Sequence, residues 1–161
     1  MVNNLILYLS KNNTTAETVE LIKKNSKNPL DTYKITDVGN LDLSRYSHIY
    51  IGTGIYAGRI PEPVTKYISK HKNELINKPI TFFLHGLASQ KEYQRIADNA
   101  VSKYLDKKNY NCVYLGGKLD LAAQNFIIRK FMIEVGKKKG FDPRNANTLE
   151  HQKIRELAEH F

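Results

Sequence analysis

The feature that most constrains the fold of this chain is a regular alternation of short apolar runs with segments of helical periodicity. Five apolar runs have the length of strands, at 4–9, 31–36, 47–53, 79–84 and 111–115. Helical patterns follow four of them, at 14–24, 61–73, 91–107 and 148–160. Such alternation, with strands that are apolar throughout, predicts a parallel sheet with right-handed crossovers and helices on both faces.

The length of 161 residues suits a single domain that spans 1–161. Residues 118–147 break the alternation, because they are too long for a simple turn between a strand and a helix. We therefore expect a doubly wound α/β fold of five parallel strands, with a long insertion before the last helix.

Composition and charge narrow the classes of function. Lys and Arg outnumber Asp and Glu by 25 to 16, which gives a net charge of +9. Zinc-finger spacing, an RNP-type aromatic signature and a dense basic arm are all missing, so we expect no nucleic-acid partner. No stretch approaches the roughly 20 apolar residues of a spanning helix, and no secretory signal is visible. We therefore expect a cytoplasmic protein, whose contact with a membrane is at most peripheral, on its inner face.

The sequence offers no convincing catalytic side chain. The single cysteine, Cys112, excludes an internal disulfide and fits a reducing compartment. It lies within the apolar run 112–115, so we expect a buried strand thiol that acts as a small hydrophobe rather than a nucleophile. We assign no general acid or base and expect no metal site.

Three of the strand ends are rich in small and polar residues. In an open parallel sheet, ligands bind beyond the carboxyl ends of the strands, at a topological switch point. The candidate binding residues follow the first strand (Ser10, Lys11, Asn12, Asn13, Thr14, Thr15), the third (Thr53, Gly54, Ile55, Tyr56, Ala57, Gly58) and the fourth (Leu84, His85, Gly86, Leu87). Together they suit a phosphorylated flat ring, with the phosphate at a helix start and the ring between two loops.

Each loop has its own chemistry and its own ordinary explanation. The first leads into a helix N-terminus, which favours an anion, and Asn13 or Thr14 can cap that helix. Tyr56 can stack on a planar ligand, and the glycines beside it and at Gly86 permit close backbone approach. His85 is a candidate proton donor or phosphate contact. Taken singly, the loops are better explained by a simple cap, a turn with a packed tyrosine and a hydrogen-bonded structural histidine.

The first loop resembles the phosphate loop of flavodoxins, which has the pattern Ser/Thr-x-x-Gly-x-Thr before the first helix. Residues 10–15 match it except that Asn13 replaces the glycine. Asparagine tolerates a left-handed backbone better than most residues, so we expect the loop to keep its shape. The resemblance implies a sheet order of 2-1-3-4-5 and a non-covalently bound FMN.

Within that superfamily, the chain is most similar to the menaquinone-dependent protoporphyrinogen dehydrogenase group. The similar segments are the third strand with its ring loop, part of the next helix, the second ring loop and the long insertion, at 46–58, 67–71, 82–87 and 117–133. This insertion departs from the group, since it carries Ala-Ala-Gln-Asn at 122–125 and the chain has no tryptophan.

The resemblance implies an FMN-dependent oxidoreductase that uses a quinone, a porphyrinogen or a redox partner protein. It places the phosphate on 10–15, the ring on Tyr56, the backbone of 57–58 against the flavin N5 edge and 84–87 against the pyrimidine side. One alternative is an electron-transfer flavodoxin without its own substrate, although the charge of +9 speaks against it. The other is a non-redox module of the same fold that has lost FMN.

The insertion carries a helical stripe of apolar residues, namely Ile128, Phe131, Met132 and Val135. Basic residues lie close by, at 129, 130 and 137–139. A basic amphipathic segment of this kind can lie in a membrane interface, which would make 118–140 a peripheral membrane contact. It can equally pack its stripe on the domain, and we favour that interpretation because so narrow a stripe buries easily.

Overall fold

A computed structural model describes residues 3–161; the first two residues of the predicted domain lie outside the described part. Five strands form one sheet in the order β2-β1-β3-β4-β5, and every neighbouring pair is parallel. The strands are β1 (Asn4–Leu9), β2 (Leu30–Lys34), β3 (His48–Gly54), β4 (Ile80–His85) and β5 (Tyr110–Tyr114). The predicted fold class and strand order are therefore confirmed.

Helices cover both faces of this sheet. They are α1 (Thr14–Asn25), α2 (Glu62–Lys70), α3 (Lys72–Leu75), α4 (Gln90–Val101), α5 (Phe126–Lys139) and α6 (His151–Glu159), with 3-10 turns at Leu43–Arg45 and Lys107–Asn109. One core lies between the sheet and α2, α3 and α4, and the other lies between the sheet and α1 and α6. Alternate residues of β1 serve the two cores: Leu5 and Leu7 face the first and Ile6 the second.

Several predicted element ends are corrected. The helix predicted to reach 107 ends at Val101, because the N–H groups of Tyr104 and Leu105 both turn back to the Val101 carbonyl at 2.9 and 3.0 Å. The helix predicted over 61–73 breaks at His71 into α2 and α3. The last helix begins at His151 rather than 148. The second strand ends at Lys34 rather than 36, because the Lys34 carbonyl accepts from the N–H groups of Asp37 and Val38 and so forms a turn.

Backbone hydrogen bonds join the two ends of the insertion, 117–119 and 146–148, which together form its neck. Leu119 N–H donates to the Ala146 carbonyl at 3.0 Å, and Thr148 N–H donates to the Gly117 carbonyl at 2.7 Å. Between these contacts lies α5, whose start is capped by the Asn125 side chain, which accepts from Ile128 N–H at 2.9 Å. The backbone hydrogen bonds thus close 118–147 into an appendage of the domain, next to the end of β5.

The prediction that the apolar stripe packs on the domain is wrong for its first half, Ile128 and Phe131. Gly136 is the one buried residue of α5, held against the Phe141 carbonyl and the Pro143 ring. Ile128 and Phe131 are exposed, and Met132 and Val135 are half-buried. Because contact through a glycine brings only the second half of the helix onto Phe141 and Pro143, the first half stands clear of both cores.

Cys112 lies in β5 and is half-buried, where full burial is predicted. Burial still raises the pKa of its thiol to about 12, so the thiolate is disfavoured, as expected of a structural cysteine. Across the described residues, no helix combines the length and the hydropathy needed to cross a bilayer.

Candidate functional site

The three candidate loops leave the same edge of the sheet, at neighbouring strands. The register places Leu9 beside Thr53, Thr53 beside Leu84 and Gly54 beside His85. Ile55 N–H donates to the His85 carbonyl at 2.8 Å, which ties the second loop to the third. Thr53, Gly54, Leu84 and His85 are still strand residues, and the Thr53 and Leu84 side chains are fully buried. These two positions therefore offer a ligand only their backbone.

Asn13 shapes the first loop. It precedes α1 in a left-handed conformation with φ 65°, which confirms that asparagine accepts the backbone geometry expected of a glycine there. The prediction that a side chain at Asn13 or Thr14 caps the helix is wrong, because the Asn13 side chain makes no capping bond and the Thr14 hydroxyl has no partner. Ser10 caps the helix instead, since its Oγ accepts from Ala16 N–H at 3.2 Å.

Two threonines at the start of α1 bury hydroxyls with no hydrogen-bond partner. Thr14 and Thr15 are only 4% and 1% exposed, and neither Oγ1 atom contacts a donor or an acceptor in the described part of the chain. Tyr67 in α2 is the one other residue described with a side-chain polar atom in this state. A buried hydroxyl without a partner costs roughly 1–3 kcal/mol. Such a pair beside a helix N-terminus fits a bound anion, which supplies the missing acceptors.

The second loop is a tight reversal at Tyr56–Arg59. The N–H groups of Tyr56 and Arg59 each donate to the other's carbonyl at 3.0 Å. Ala57 and Gly58 both have positive φ, at 48° and 71°, as a type I′ turn requires. Because Ala57 is not glycine, it holds this conformation at a cost of about 1–2 kcal/mol. Both residues are exposed, so the peptide between them is available to a ligand.

The Tyr56 ring joins the first and second loops. Its hydroxyl accepts from Lys11 N–H at 3.2 Å, and the Lys11 ammonium lies 4.9 Å from the ring centroid. The ring also lies against Gly54, where an added Cβ would come within 2.7 Å of it. A planar ligand on the face that Lys11 covers must displace the ammonium, which is easy because Lys11 is exposed. Partial burial raises the pKa of the Tyr56 phenol, so this phenol stays protonated at neutral pH.

His85 has a structural role in this geometry. Its ring is 3% exposed; Nδ1–H donates to the Gly116 carbonyl at 2.8 Å, and Nε2 accepts from the Thr18 hydroxyl at 2.9 Å. Both ring nitrogens are thus committed, which matches the hydrogen-bonded alternative rather than a proton donor or phosphate contact. Burial lowers the pKa of His85, so the ring is neutral at neutral pH.

The third loop rests on residues that sequence reasoning did not assign to the site. The Gly86 carbonyl accepts from the Tyr114 hydroxyl at 3.0 Å, and Gly86 N–H donates to the Gly116 carbonyl at 3.1 Å. Gly117 lies so close to Gly86 that an added Cβ would be 2.6 Å from its carbonyl oxygen. Leu87 follows, half-buried. The consecutive glycines after β5 were the available signal, since close backbone approach is a common reason for such a pair.

Two cavities of the structure lie outside the space between the three loops. One of about 320 Å³ opens between α1 and α6, with Thr14, Thr18 and Arg155 in its wall. A larger one of about 670 Å³ lies at the opposite, amino edge of the sheet, next to Asn4 and His48. Thr14 therefore borders open space, while the Tyr56 ring fills the space between the first two loops.

Comparison with known proteins places this arrangement in a family. A sequence model of the flavodoxin domain matches residues 5–145. No curated protein matches the chain. A flavoprotein in complex with FMN from Lactobacillus acidophilus is 16% identical, covers 73% of this chain and 93% of its own, and has a TM-score of 0.56.

Two flavodoxin structures are similar over more of the chain. One from the domain Archaea is 13% identical, with coverage of 96% of this chain and 99% of that chain and a TM-score of 0.54. A Fusobacterium nucleatum flavodoxin bound to flavin mononucleotide is 17% identical, with coverage of 88% and 100% and a TM-score of 0.53. At such identities the structures show a common fold and no more. Because the family model spans most of its length, this chain belongs to the flavodoxin domain family.

Proposed function

We propose that this protein binds FMN non-covalently at the three loops and uses it to move electrons. The observation that carries the proposal is the pair of buried hydroxyls of Thr14 and Thr15, which lack partners at the start of α1. A phosphate group is the acceptor that this pair and the N-terminus of α1 would suit together. Two of the structures with the same fold are described as FMN complexes, which supports the choice of ligand.

The residues divide the work of binding. The hydroxyls and the backbone N–H groups of Thr14 and Thr15 donate to the phosphate, while Ser10 holds the loop by accepting from Ala16 N–H. Tyr56 offers its ring as a flat apolar surface. Bound FMN supplies the uptake and release of electrons, while the protein positions it and sets its potential.

The peptide between Ala57 and Gly58 is the proposed partner of the flavin N5 edge. It is exposed, it lies in a turn of positive φ, and Gly58 has no neighbouring atom within 4 Å of where a Cβ would stand. Such a peptide can present either its N–H or its carbonyl, because glycine populates both signs of φ. The backbone of 84–87 is the proposed contact on the pyrimidine side.

We further propose a quinone-linked activity of the protoporphyrinogen dehydrogenase kind. Its support is the resemblance of 46–58 and of the insertion to that group, together with the basic charge. Porphyrinogen oxidation coupled to reduction of a quinone by the flavin-loaded protein tests it directly. Electron exchange with a redox partner protein, without turnover of either small molecule, would instead identify an electron-transfer flavodoxin.

A Thr15→Val variant is expected to bind FMN about 10- to 150-fold more weakly, because a hydrogen bond to a charged group contributes about 1.5–3 kcal/mol. The same change is expected to stabilise the flavin-free protein slightly, because it removes a buried hydroxyl that has no partner. Calorimetric titration with FMN and urea unfolding without it measure the two effects. Weaker FMN binding together with a higher unfolding free energy is the result expected of a ligand-binding hydroxyl, whereas loss of a structural hydroxyl would lower the unfolding free energy.

Thr65→Val is the matched control, since Thr65 also lies in the first turn of a helix but bonds the Glu62 carbonyl. We expect it to leave FMN affinity unchanged. If Thr15→Val keeps full affinity, the phosphate assignment is wrong. A purified protein that is colourless and shows no spectral change with added FMN would favour the non-redox module.

A further inference from the structure

The first half of α5 exposes four large apolar side chains to solvent. Phe126, Ile127, Ile128 and Phe131 are 75%, 76%, 42% and 59% exposed. The other large hydrophobic residues described as exposed are Tyr33 and Ile76, at 39% each and far apart in sequence. An apolar cluster of this density on a protein surface marks an interaction site.

The direction of these side chains indicates the kind of partner. Successive residues of an α-helix differ by about 100° around its axis. Phe126, Ile127 and Ile128 therefore spread over more than half of the helix circumference, and all three are exposed. A groove on a folded protein covers one side of a helix, whereas the boundary between lipid headgroups and acyl chains accommodates apolar side chains over a wider arc.

The charges near this cluster are basic. Arg129, Lys130 and Lys138 in α5 make no ion pair with an acidic residue among residues 3–161. Glu134 is the one acidic residue of α5, and Lys137 pairs with it at 3.3 Å. The apolar turn is thus accompanied by uncompensated positive charge, which complements the headgroups of anionic lipids.

We propose that α5 docks this protein on an anionic lipid bilayer. Phe126, Ile127 and Phe131 enter the boundary between headgroups and acyl chains, and the nearby arginine and lysines contact the anionic headgroups. The helix lies at the surface and does not cross the bilayer. This docking is independent of the proposed flavin chemistry, because it uses no residue of the three loops.

Sedimentation with vesicles tests the docking. We expect the full chain to bind vesicles of phosphatidylcholine with phosphatidylglycerol at least about 10-fold better than phosphatidylcholine alone, since each nearby basic residue contributes about 1 kcal/mol. High salt is expected to abolish the difference. Equal recovery with neutral and anionic vesicles would overturn the proposal, as would a solution dimer that Ile127→Ser/Phe131→Ser dissociates while vesicles are ignored.

Two variants of α5, each with a matched control elsewhere in the chain, test whether vesicle binding depends on these particular side chains or only on the number of apolar and basic residues. Ile127→Ser/Phe131→Ser is expected to lose binding, whereas Tyr33→Ser/Ile76→Ser removes exposed apolar side chains elsewhere and is expected to keep it. Arg129→Gln/Lys130→Gln/Lys138→Gln is expected to lose the anionic preference. Its control, Lys24→Gln/Lys34→Gln/Lys72→Gln, lowers the net charge equally, from +9 by three, and is expected to keep that preference. Equal losses in a variant and its control contradict the proposal.

A fluorescent probe tests insertion without removing the apolar cluster. The chain contains no tryptophan, so Phe131→Trp provides a single tryptophan whose emission can be followed. We expect its emission to shift to the blue on anionic vesicles and to stay unchanged on neutral ones, while Tyr33→Trp shows no shift on either. An unshifted Phe131→Trp spectrum on anionic vesicles refutes insertion.

Discussion

A Gly116→Ala variant is expected to lose about 3 kcal/mol or more of its unfolding free energy. Gly116 has φ +67°, and a Cβ there would lie 1.7 Å from the Thr148 carbonyl oxygen and 2.6 Å from its carbon. The neighbour is backbone, so the neck of the insertion must move to make room. The Gly116 carbonyl also accepts from Gly86 N–H and from the His85 ring, so the displacement reaches the third loop.

Gly140→Ala is the control for this prediction. Gly140 has a similar φ of +74°, but no atom lies within 4 Å of the position of its Cβ. Alanine there has only the left-handed conformation to accommodate, so we expect a loss of about 1 kcal/mol. Urea unfolding of both variants separates the clash from the conformation. Similar losses in the two would mean that the neck does not lie against Gly116 as described.

His85→Leu is expected to lose about 3 kcal/mol of unfolding free energy at neutral pH. The change leaves the Thr18 hydroxyl without its buried partner and removes one of the two donors to the Gly116 carbonyl. The ring also lies between α1, the third loop and the residues that follow β5, so its replacement by another shape disturbs all three. Thermal or urea unfolding near pH 7.5 measures the loss.

The same histidine makes the unfolding free energy of the protein fall as the pH is lowered. Burial lowers the pKa of His85 below its ordinary value of 6.5, and the positive charge of Lys118 acts in the same direction, while the hydrogen bond to Gly116 and the negative charge of Glu17 oppose it with smaller effects. Below pH 6.5 the unfolded chain therefore binds a proton that the folded protein excludes. The contribution of His85 to stability is present above pH 6.5 and is lost as the pH falls towards the lower folded pKa.

We therefore expect acidification from neutral pH to destabilise the wild type more than His85→Leu. His48, whose pKa burial also lowers, contributes in the same direction and stays in both proteins. Identical slopes in wild type and His85→Leu would show that His85 is not held neutral.

The sheet can be predicted from the sequence because its strands carry a strong local signal. The runs around Leu5–Leu7 and Phe82–Leu84 are apolar on both faces, which only a covered parallel strand requires. The left-handed conformation of Asn13 can also be anticipated, because the choice of residue is local. Helix ends are less predictable: the turn after Val101 depends on burying Leu105 in a core that other elements build.

The parts of the site that the sequence misses are long-range contacts. No local pattern tells that His85 bonds Thr18 and Gly116, or that Lys11 and Tyr56 meet, because these pairs lie between 31 and 67 residues apart. The exposure of Phe131 is missed for a related reason. An apolar stripe predicts that one face of a helix contacts an apolar partner, but it does not indicate whether that partner is the domain itself.

We propose that the start of α1 binds the phosphate of a flavin whose ring lies between the second and third loops. Calorimetric titration with FMN and, in parallel, with riboflavin tests it most directly, because riboflavin lacks the phosphate alone. With charged hydrogen bonds from Thr14 and Thr15, FMN is expected to bind about 100-fold more tightly or better. Equal affinity for the two flavins, or no binding of either, would contradict the account.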